Sequence, residues 1–178
     1  MATALNTPTD NELSLLAVRV GAFLQQRGLR VVTAESCTGG LVSKLLTDVP
    51  GSSQWFDCGY ITYSNEAKQR DLGVAAETLR LFGAVSEETV EQMAAGALVR
   101  TAADLAVAVS GVAGPDGGTI ANPAGSVWFA LAAGGAAGGT EGAAPGVEIS
   151  AVHHQLTGDR DAVRRQSAAI ALELLMEP

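Results

Sequence analysis

The chain has 178 residues, 47% of them hydrophobic and 17% charged, with a formal net charge of −8 and a sequence pI near 4.6. This size suits one globular domain, and the negative charge disfavours a nucleic-acid backbone or an anionic membrane as a partner. No run reaches the roughly 18 apolar residues that cross a bilayer and no secretory leader is recognisable, so we expect a cytoplasmic, soluble protein.

The cysteine and histidine content argues against a metal site. Cys37 and Cys58 are the only cysteines, and the sequence has no CxxC pair and no cluster of cysteines with histidines. His153 and His154 are adjacent in a stretch of strand character, where neighbouring side chains point to opposite faces. We therefore expect free thiols, no metal and no Ser-His-acid triad.

The first third of the chain alternates between helix and strand signals. Thr9-Asp-Asn-Glu12 is typical of a capping box, so a helix should follow the polar tail of residues 1–9 and end at Gly28. Two apolar runs rich in β-branched or aromatic residues predict strands, over residues 29–34 and 55–63.

The later elements follow from the same signals. Capping residues and helical periodicity predict helices, over residues 64–73, 77–82, 86–101 and from 159 onward. Apolar or strand-like runs predict strands, over residues 105–109, 126–133 and 147–156. The order of these elements predicts one domain, residues 10–178. Its fold class is α/β, with three α/β/α layers around a mixed, largely parallel sheet that ends in an antiparallel hairpin. The Gly/Ala-rich segment 134–146 would form a mobile hairpin tip.

Ser36 follows an apolar strand and precedes a helical pattern, so it is expected at a helix N-terminus. Free backbone amides near Thr38, Gly39 and Gly40 could bind an anionic ligand or a developing oxyanion there. Ser36 or Thr38 could equally serve only as an N-cap. Cys37, beside Ser36, is either a rival nucleophile or a packed side chain.

A second loop is expected to open onto the same crevice. Loops that leave the carboxyl ends of parallel strands converge at one edge of a sheet, and the loop over residues 110–118 follows an apolar strand as Ser36 does. Its glycines could shape a turn or let the backbone approach a ligand closely: Gly111, Gly114, Gly117 and Gly118. The loop is neither GxGxxG nor a Walker sequence, so no cofactor is predicted.

Several blocks of the chain match a known family in colinear order. They are Thr33-Ala-Glu-Ser-Cys-Thr-Gly-Gly40, Gly51-Ser-Ser53, Tyr63-Ser-Asn-Glu-Ala-Lys68, Gly83-Ala-Val-Ser86, Val109-Ser-Gly-Val-Ala-Gly-Pro-Asp-Gly-Gly118 and Gly158-Asp-Arg-Asp-Ala-Val-Arg164. From about residue 10 to 176, the chain resembles the nicotinamide mononucleotide amidohydrolases, which are similar to the C-terminal domain of the competence-damage protein CinA. The resemblance implies hydrolysis of the carboxamide of nicotinamide mononucleotide, without metal, in pyridine-nucleotide salvage.

The resemblance also assigns roles to three residues. Ser36 would be the nucleophile, Lys68 the general base, and Tyr63 a hydroxyl that orients or relays between them. A lysine serves as a base only if burial or nearby positive charge lowers its pKa from about 10.4 toward neutrality. Outside the motif, Lys68 would be a solvated helix lysine and Tyr63 a half-buried strand aromatic. Glu35 could tune Lys68 electrostatically or form a salt bridge elsewhere.

Arg160 and Arg164 lie four residues apart near the start of the last predicted helix. They could hold the substrate phosphate or be ordinary surface charges. Residues 120–125 depart from the more charged stretch that the family leads us to expect, so the outer wall of the pocket could differ. The alternative function is a non-catalytic module that binds a pyridine nucleotide or a partner protein in competence or recombination. Exposed apolar edge strands favour a homo-oligomer.

Overall fold

The computed structural model describes residues 6–134 and 146–177. The helices and strands are, in order, α1 (Asp10–Arg27), β1 (Val31–Glu35), α2 (Leu41–Thr47), a short 3₁₀ turn (Ser52–Gln54), β2 (Phe56–Ile61), α3 (Asn65–Leu72), α4 (Ala76–Phe82), α5 (Glu87–Val99), β3 (Leu105–Gly111), β4 (Ser126–Gly134), β5 (Val147–Gln155) and α6 (Arg160–Leu174). Among the helices in these two ranges, none combines the length and apolar character needed to span a membrane.

The five strands form one mixed sheet in the order β2-β1-β3-β4-β5. β1 runs parallel to both β2 and β3, whereas β3–β4 and β4–β5 are antiparallel, so the two kinds of strand pair are equal in number. The predicted α/β sheet with an antiparallel hairpin is therefore confirmed. The expected hairpin tip falls, apart from its end residues, outside the described residues. β2 and β5 form the sheet edges, and self-association through an edge stays a prediction.

An apolar cluster covers each face of the sheet. One cluster packs α1, α2 and α6 against side chains such as Val107 and Phe129, and the other packs α3, α4 and α5 against side chains such as Ala106 and Ala130. Successive residues of β3 alternate between the two clusters, which explains why this strand is a continuous apolar run in the sequence. The predicted three-layer arrangement is present.

Helix α3 carries Lys68, and its position depends on a close contact with α5. The Ser64 hydroxyl accepts a backbone N–H at 3.1 Å to begin the helix, and Gly73 ends it in the left-handed region with φ 73°. A Cβ at Gly96 of α5 would lie 1.9 Å from the carbonyl oxygen of Leu72. The missing side chain at position 96 therefore lets the two helices touch through their backbones.

We predict that Gly96→Ala destabilises the protein. In an open helix this change would raise the free energy of unfolding by roughly 1 kcal/mol, but here the new methyl group overlaps backbone, and we expect a loss of about 1–3 kcal/mol. Urea unfolding followed by circular dichroism measures the change. Ala95→Gly, in the same helix, is the control that measures the effect of an Ala–Gly exchange on helix propensity without the close contact. A gain in stability for Gly96→Ala would contradict the close contact.

Candidate active site

Ser36 and Lys68 are in direct contact. Ser36 directly follows β1, Lys68 lies in α3, and 2.9 Å separates the Lys68 Nζ from the Ser36 Oγ. The Lys68 side chain is fully buried and Ser36 is 8% exposed. The Nζ also donates to the carbonyl oxygen of Thr62 at 2.7 Å and lies 3.5 Å from that of Tyr63. The structure thus brings together the serine and the lysine of the predicted pair.

Burial changes the proton affinity of this lysine. Desolvation disfavours the ammonium and lowers the pKa of Lys68 from 10.5 to about 8, with a smaller opposing contribution from the neighbouring Cys37. The two carbonyl oxygens near the Nζ can only accept hydrogen bonds. When the amine is neutral, its N–H groups are directed to these carbonyls, and its lone pair is left for the hydroxyl proton of Ser36.

Cys37 is packed rather than presented as a nucleophile. Its side chain is 5% exposed and belongs to the apolar cluster of α1, α2 and α6. Burial raises the pKa of the Cys37 thiol from 9.0 to about 11, which keeps the sulfur protonated near neutral pH. Of the two interpretations that the sequence left open for this residue, the geometry favours the packed side chain.

The prediction that Ser36 sits at a helix N-terminus is wrong. Helix α2 begins at Leu41, with Gly40 as its N-cap, and residues 36–40 form a turn. Gly39 and Gly40 have φ of 59° and 92°, in the left-handed region that interrupts a helix. Ser36 therefore lies in a turn between strand and helix, where no helix geometry determines its direction.

The amides of Gly39 and Gly40 are already engaged, contrary to their predicted role in binding an anion. Gly39 N donates to the Ser36 carbonyl oxygen at 3.0 Å, and Gly40 N donates to the Glu35 carboxylate at 3.0 Å. The amides of residues 37 and 38 donate to no backbone oxygen in the described part of the chain. Of the amides in this turn, these two are free to bind an oxyanion.

Tyr63 occupies a different place from the one predicted. Its side chain is 61% exposed, and its hydroxyl accepts a hydrogen bond from Arg160 at 3.0 Å. Within residues 6–134 and 146–177, no hydrogen bond joins this hydroxyl to Ser36 or Lys68. Tyr63 follows the end of β2, so its carbonyl faces the lysine while its ring extends to the rim of the site. The geometry does not support a hydroxyl relay in this conformation.

The two predicted arginines lie on the rim of the site. Arg160, the first residue of α6, donates to the carbonyl oxygen of Gly114 at 3.1 Å. Arg164 donates to the carbonyl oxygen of Thr38 at 2.8 Å. Helix α6 therefore begins where the turn after β1, the segment after β2 and the loop after β3 meet.

Among the described residues, these two arginines have no carboxylate within ion-pair distance. In the described residues, neither forms an ion pair, and both donate only to uncharged oxygens. Arg165, the next residue of the same helix, pairs instead with Asp10 at 2.7 Å and Asp161 at 4.0 Å. Asp159 and Asp161 line the same cleft as Arg160, so the arginines are candidate ligands for an anionic group because they lack an ion-pair partner and not because the rim has an excess of positive charge.

The glycines of the loop after β3 play different parts. Gly114 borders a cleft of about 370 Å³ between residues 113–115 and the start of α6. Gly111 is the last residue of β3, and a Cβ there would lie 2.7 Å from the carbonyl oxygen of Ser126, so it serves packing. Gly117 and Gly118 have φ of 83° and 99° and do not line the cleft. Ligand contact is therefore supported geometrically for Gly114 alone among the four.

A somewhat larger groove lies elsewhere. It measures about 420 Å³ between α1 and α6, and none of the predicted site residues lines it. The polar, charged rim beside Ser36 and Lys68 is the better candidate for chemistry. In the described ranges, no three His, Cys, Asp or Glu side chains are grouped to hold a metal ion.

The sequence profile of the CinA C-terminal domain matches residues 13–178. The chain belongs to the CinA C-terminal domain family. It is 51% identical over 169 residues to the nicotinamide-nucleotide amidohydrolase PncC of Escherichia coli strain K12, an alignment that covers 95% of this chain and 96% of that protein. A protein of the same name from Pseudomonas putida is 46% identical over 165 residues, with coverage of 93% and 96%.

Solved structures of the CinA family share the fold. The competence/damage inducible protein CihA from Agrobacterium tumefaciens superposes with a TM-score of 0.84 at 40% identity, over 99% of this chain and 98% of that one. A CinA superfamily protein from Klebsiella pneumoniae gives a TM-score of 0.82 at 40% identity, over 93% and 96%. The family resemblance inferred from the sequence blocks is confirmed.

Two residues of this CinA-type site were not anticipated in the roles they have. The carbonyl oxygen of Thr62 holds the lysine amine, and a backbone acceptor leaves no signature in a sequence. Glu35 is fully buried and its carboxylate binds the first turn of α2. Among the described residues it forms no salt bridge and no hydrogen bond to Lys68. The signal in the sequence for this role of Glu35 was its position as an acidic residue at the end of a mostly apolar strand.

We predict that Lys68 makes the stability of the protein depend on pH. Between pH 8 and 10.5 the unfolded chain keeps a proton on this lysine that the folded chain has released, so the folded state gains stability as the pH rises. Below pH 8 both states are protonated and the gain is absent. Lys68→Met lacks this dependence. Between pH 8 and 10.5, the free energy of unfolding of wild type should therefore rise by about 3 kcal/mol relative to that of the variant.

Urea unfolding at several pH values measures this difference. Lys44→Met is the matched control, because Lys44 lies on the exposed side of α2. A difference between wild type and Lys68→Met that stays constant from pH 7 to 10.5 would contradict the lowered pKa.

Proposed function

We propose that this chain hydrolyses the carboxamide of nicotinamide mononucleotide to nicotinate mononucleotide and ammonia, in pyridine-nucleotide salvage. The observation that carries the proposal is the 2.9 Å contact between a buried lysine amine and a serine hydroxyl, Lys68 and Ser36. The proposal draws further support from 51% identity to a protein named nicotinamide-nucleotide amidohydrolase.

The first half of the reaction forms an acyl-enzyme. Neutral Lys68 accepts the proton of Ser36 as the Oγ attacks the carboxamide carbon. The carbonyl oxygen of the substrate becomes an oxyanion, which the amides of residues 37 and 38 stabilise. The Lys68 ammonium then gives its proton to the departing nitrogen, and the carbon–nitrogen bond breaks. Ammonia departs, and the acyl group remains on Ser36 as an ester.

The second half releases the acid. Lys68, neutral again, accepts a proton from a water molecule that attacks the ester carbon. The same two amides stabilise the second oxyanion. When this intermediate collapses, the proton returns to the Ser36 Oγ, and the product leaves as a carboxylic acid that gives its proton to water. Because Lys68 must be neutral to begin each half, activity should rise with pH toward its pKa of about 8.

The phosphate of the substrate would bind at the arginine rim. Arg160 and Arg164 have no carboxylate partner in the described residues. Arg164 donates to the turn that carries Ser36, and Arg160 donates to the loop after β3. The amides of Gly40, Val42 and Ser43 at the start of α2 are bound to Glu35, which leaves the phosphate to the arginines. This placement assigns the oxyanion and the phosphate to different groups.

We predict that Ser36→Ala and Lys68→Met each lower kcat/KM for nicotinamide mononucleotide by a factor on the order of 10³ or more, because nucleophile and base act as a unit. Ammonia release by the purified protein measures the effect, and Lys44→Met is the control expected to keep full activity. Full activity in either dyad variant would contradict the mechanism. Tight binding of the nucleotide by wild type with no ammonia release would favour the non-catalytic module instead.

We predict that Arg160→Ala and Arg164→Ala act on the phosphate. Each should raise KM for nicotinamide mononucleotide roughly tenfold, since a charge-assisted hydrogen bond contributes about 1.5–3 kcal/mol. The rate with nicotinamide riboside, which has no phosphate, should change little. Arg165→Ala is the matched control from the same helix. Equal losses on nucleotide and riboside would contradict a phosphate site at this rim.

A further inference from the structure

The carboxylate of Glu35 closes the turn that carries Ser36. Glu35 is the last residue of β1, and its Oε2 accepts from the amides of Gly40 and Val42 at 3.0 and 3.1 Å. Its Oε1 accepts from the amide and the hydroxyl of Ser43 at 2.8 and 2.6 Å. The residue just before Ser36 is thereby bound to the residues at the far end of the same turn.

This carboxylate is fully buried and its hydrogen bonds go to four donors. Within the described residues no basic side chain forms an ion pair with it, so backbone dipoles and one hydroxyl hold its charge. The Ser43 hydroxyl also lies 2.6 Å from the hydroxyl of Thr33. A buried carboxylate satisfied in this way fixes the positions of its donors. Any donor that moved away would leave an unpaired polar group in the interior, which is unfavourable.

The backbone of Glu35 connects the same residue to the lysine. Its carbonyl oxygen accepts from the amide of Thr62 at 2.9 Å, and the carbonyl oxygen of Thr62 accepts from the Lys68 Nζ at 2.7 Å. Ser36 N in turn donates to the carbonyl oxygen of Val109 at 3.0 Å. One residue therefore links the serine turn to the segment that holds the lysine amine.

We propose that Glu35 is a positioning residue for the reaction. Its carboxylate holds the turn of residues 36–40 so that the Ser36 hydroxyl meets Lys68 while the amides of residues 37 and 38 stay free for the oxyanion. The inference rests on the proposed roles of Ser36 and Lys68. It assigns Glu35 a geometric function, distinct from an electrostatic effect on the lysine, with which it shares no hydrogen bond.

Glu35→Gln is the central variant. The amide group keeps the shape and one acceptor oxygen but places N–H donors where the other oxygen accepted, so the turn loses part of its closure. We expect kcat for nicotinamide mononucleotide to fall by a factor on the order of 10–100, as small misplacements of reacting groups do, with KM changed less than about threefold. The acidic limb of the kcat profile should stay in place, because the proton affinity of Lys68 is unaffected.

Two further variants separate geometry from charge. Glu35→Asp keeps the charge on a shorter side chain, and we expect it to lose kcat as the glutamine variant does. Ser43→Ala removes one of the four donors and should give a smaller fall in kcat. Glu12→Gln is the matched control, because the exposed Glu12 carboxylate caps α1 in the same way, away from this turn, and its kcat should equal that of wild type.

Unchanged kcat in Glu35→Gln would overturn the positioning role. So would an acidic limb of the kcat profile that shifts in Glu35→Gln but returns to its wild-type pH in Glu35→Asp. The labelling rate of Ser36 by a fluorophosphonate gives a second readout that needs no substrate. Slower labelling in Glu35→Gln than in wild type supports the inference even if wild type releases no ammonia. If wild type does release ammonia and both proteins are labelled at the same rate, the positioning role of Glu35 is overturned while the proposed function stands. If Glu35→Gln does not fold, Ser43→Ala decides: normal kcat and labelling in that variant contradict the proposal.

Discussion

The burial of one amine beside one hydroxyl is the constraint on which the site depends. A lysine side chain with no exposed surface is unfavourable while it is charged, and no carboxylate among the described residues compensates Lys68. The fold therefore holds this side chain at a thermodynamic disadvantage near neutral pH. The same desolvation brings its pKa to about 8, into the range where an amine can act as a base.

The sheet supplies the geometry that keeps this arrangement in place. β1, β2 and β3 are parallel, so the turn after β1, the segment after β2 and the loop after β3 all emerge at one edge. The start of α6 closes the edge from the side of the arginines. Helix α3 can present its lysine to the turn after β1 because it lies directly against α5, where Gly96 has no side chain to separate the two backbones.

Much of this could be predicted from local patterns. The capping box at Thr9, the ends of α1 and α3 at Gly28 and Gly73, and the buried strand β3 all follow from short-range chemistry that a sequence displays. The serine and lysine came from motif resemblance, and their contact spans 32 positions in the chain. No local pattern reports a contact at that separation.

The errors have two physical origins. Ser36 was expected to open a helix, but two glycines with positive φ delay α2, and Glu35 takes the amide of Gly40, one of those that an anion was expected to use. The Tyr63 ring turns to Arg160 of α6, almost a hundred residues away in sequence. The first case was decided close in sequence, by the backbone of Gly39 and Gly40 and by the hydrogen bonds of Glu35. The second was decided by a long-range hydrogen bond that depends on the packed fold.

The most direct test of the account is an NMR titration of the lysine side chains. The sequence contains two lysines, Lys44 and Lys68, so a protein labelled at lysine gives two side-chain signals, with the exposed Lys44 as the reference. The account predicts that the Lys68 signal titrates with a midpoint near 8. A Lys68 midpoint at the ordinary value near 10.5 would contradict the central claim, because the amine would then be too rarely neutral to accept the proton of Ser36.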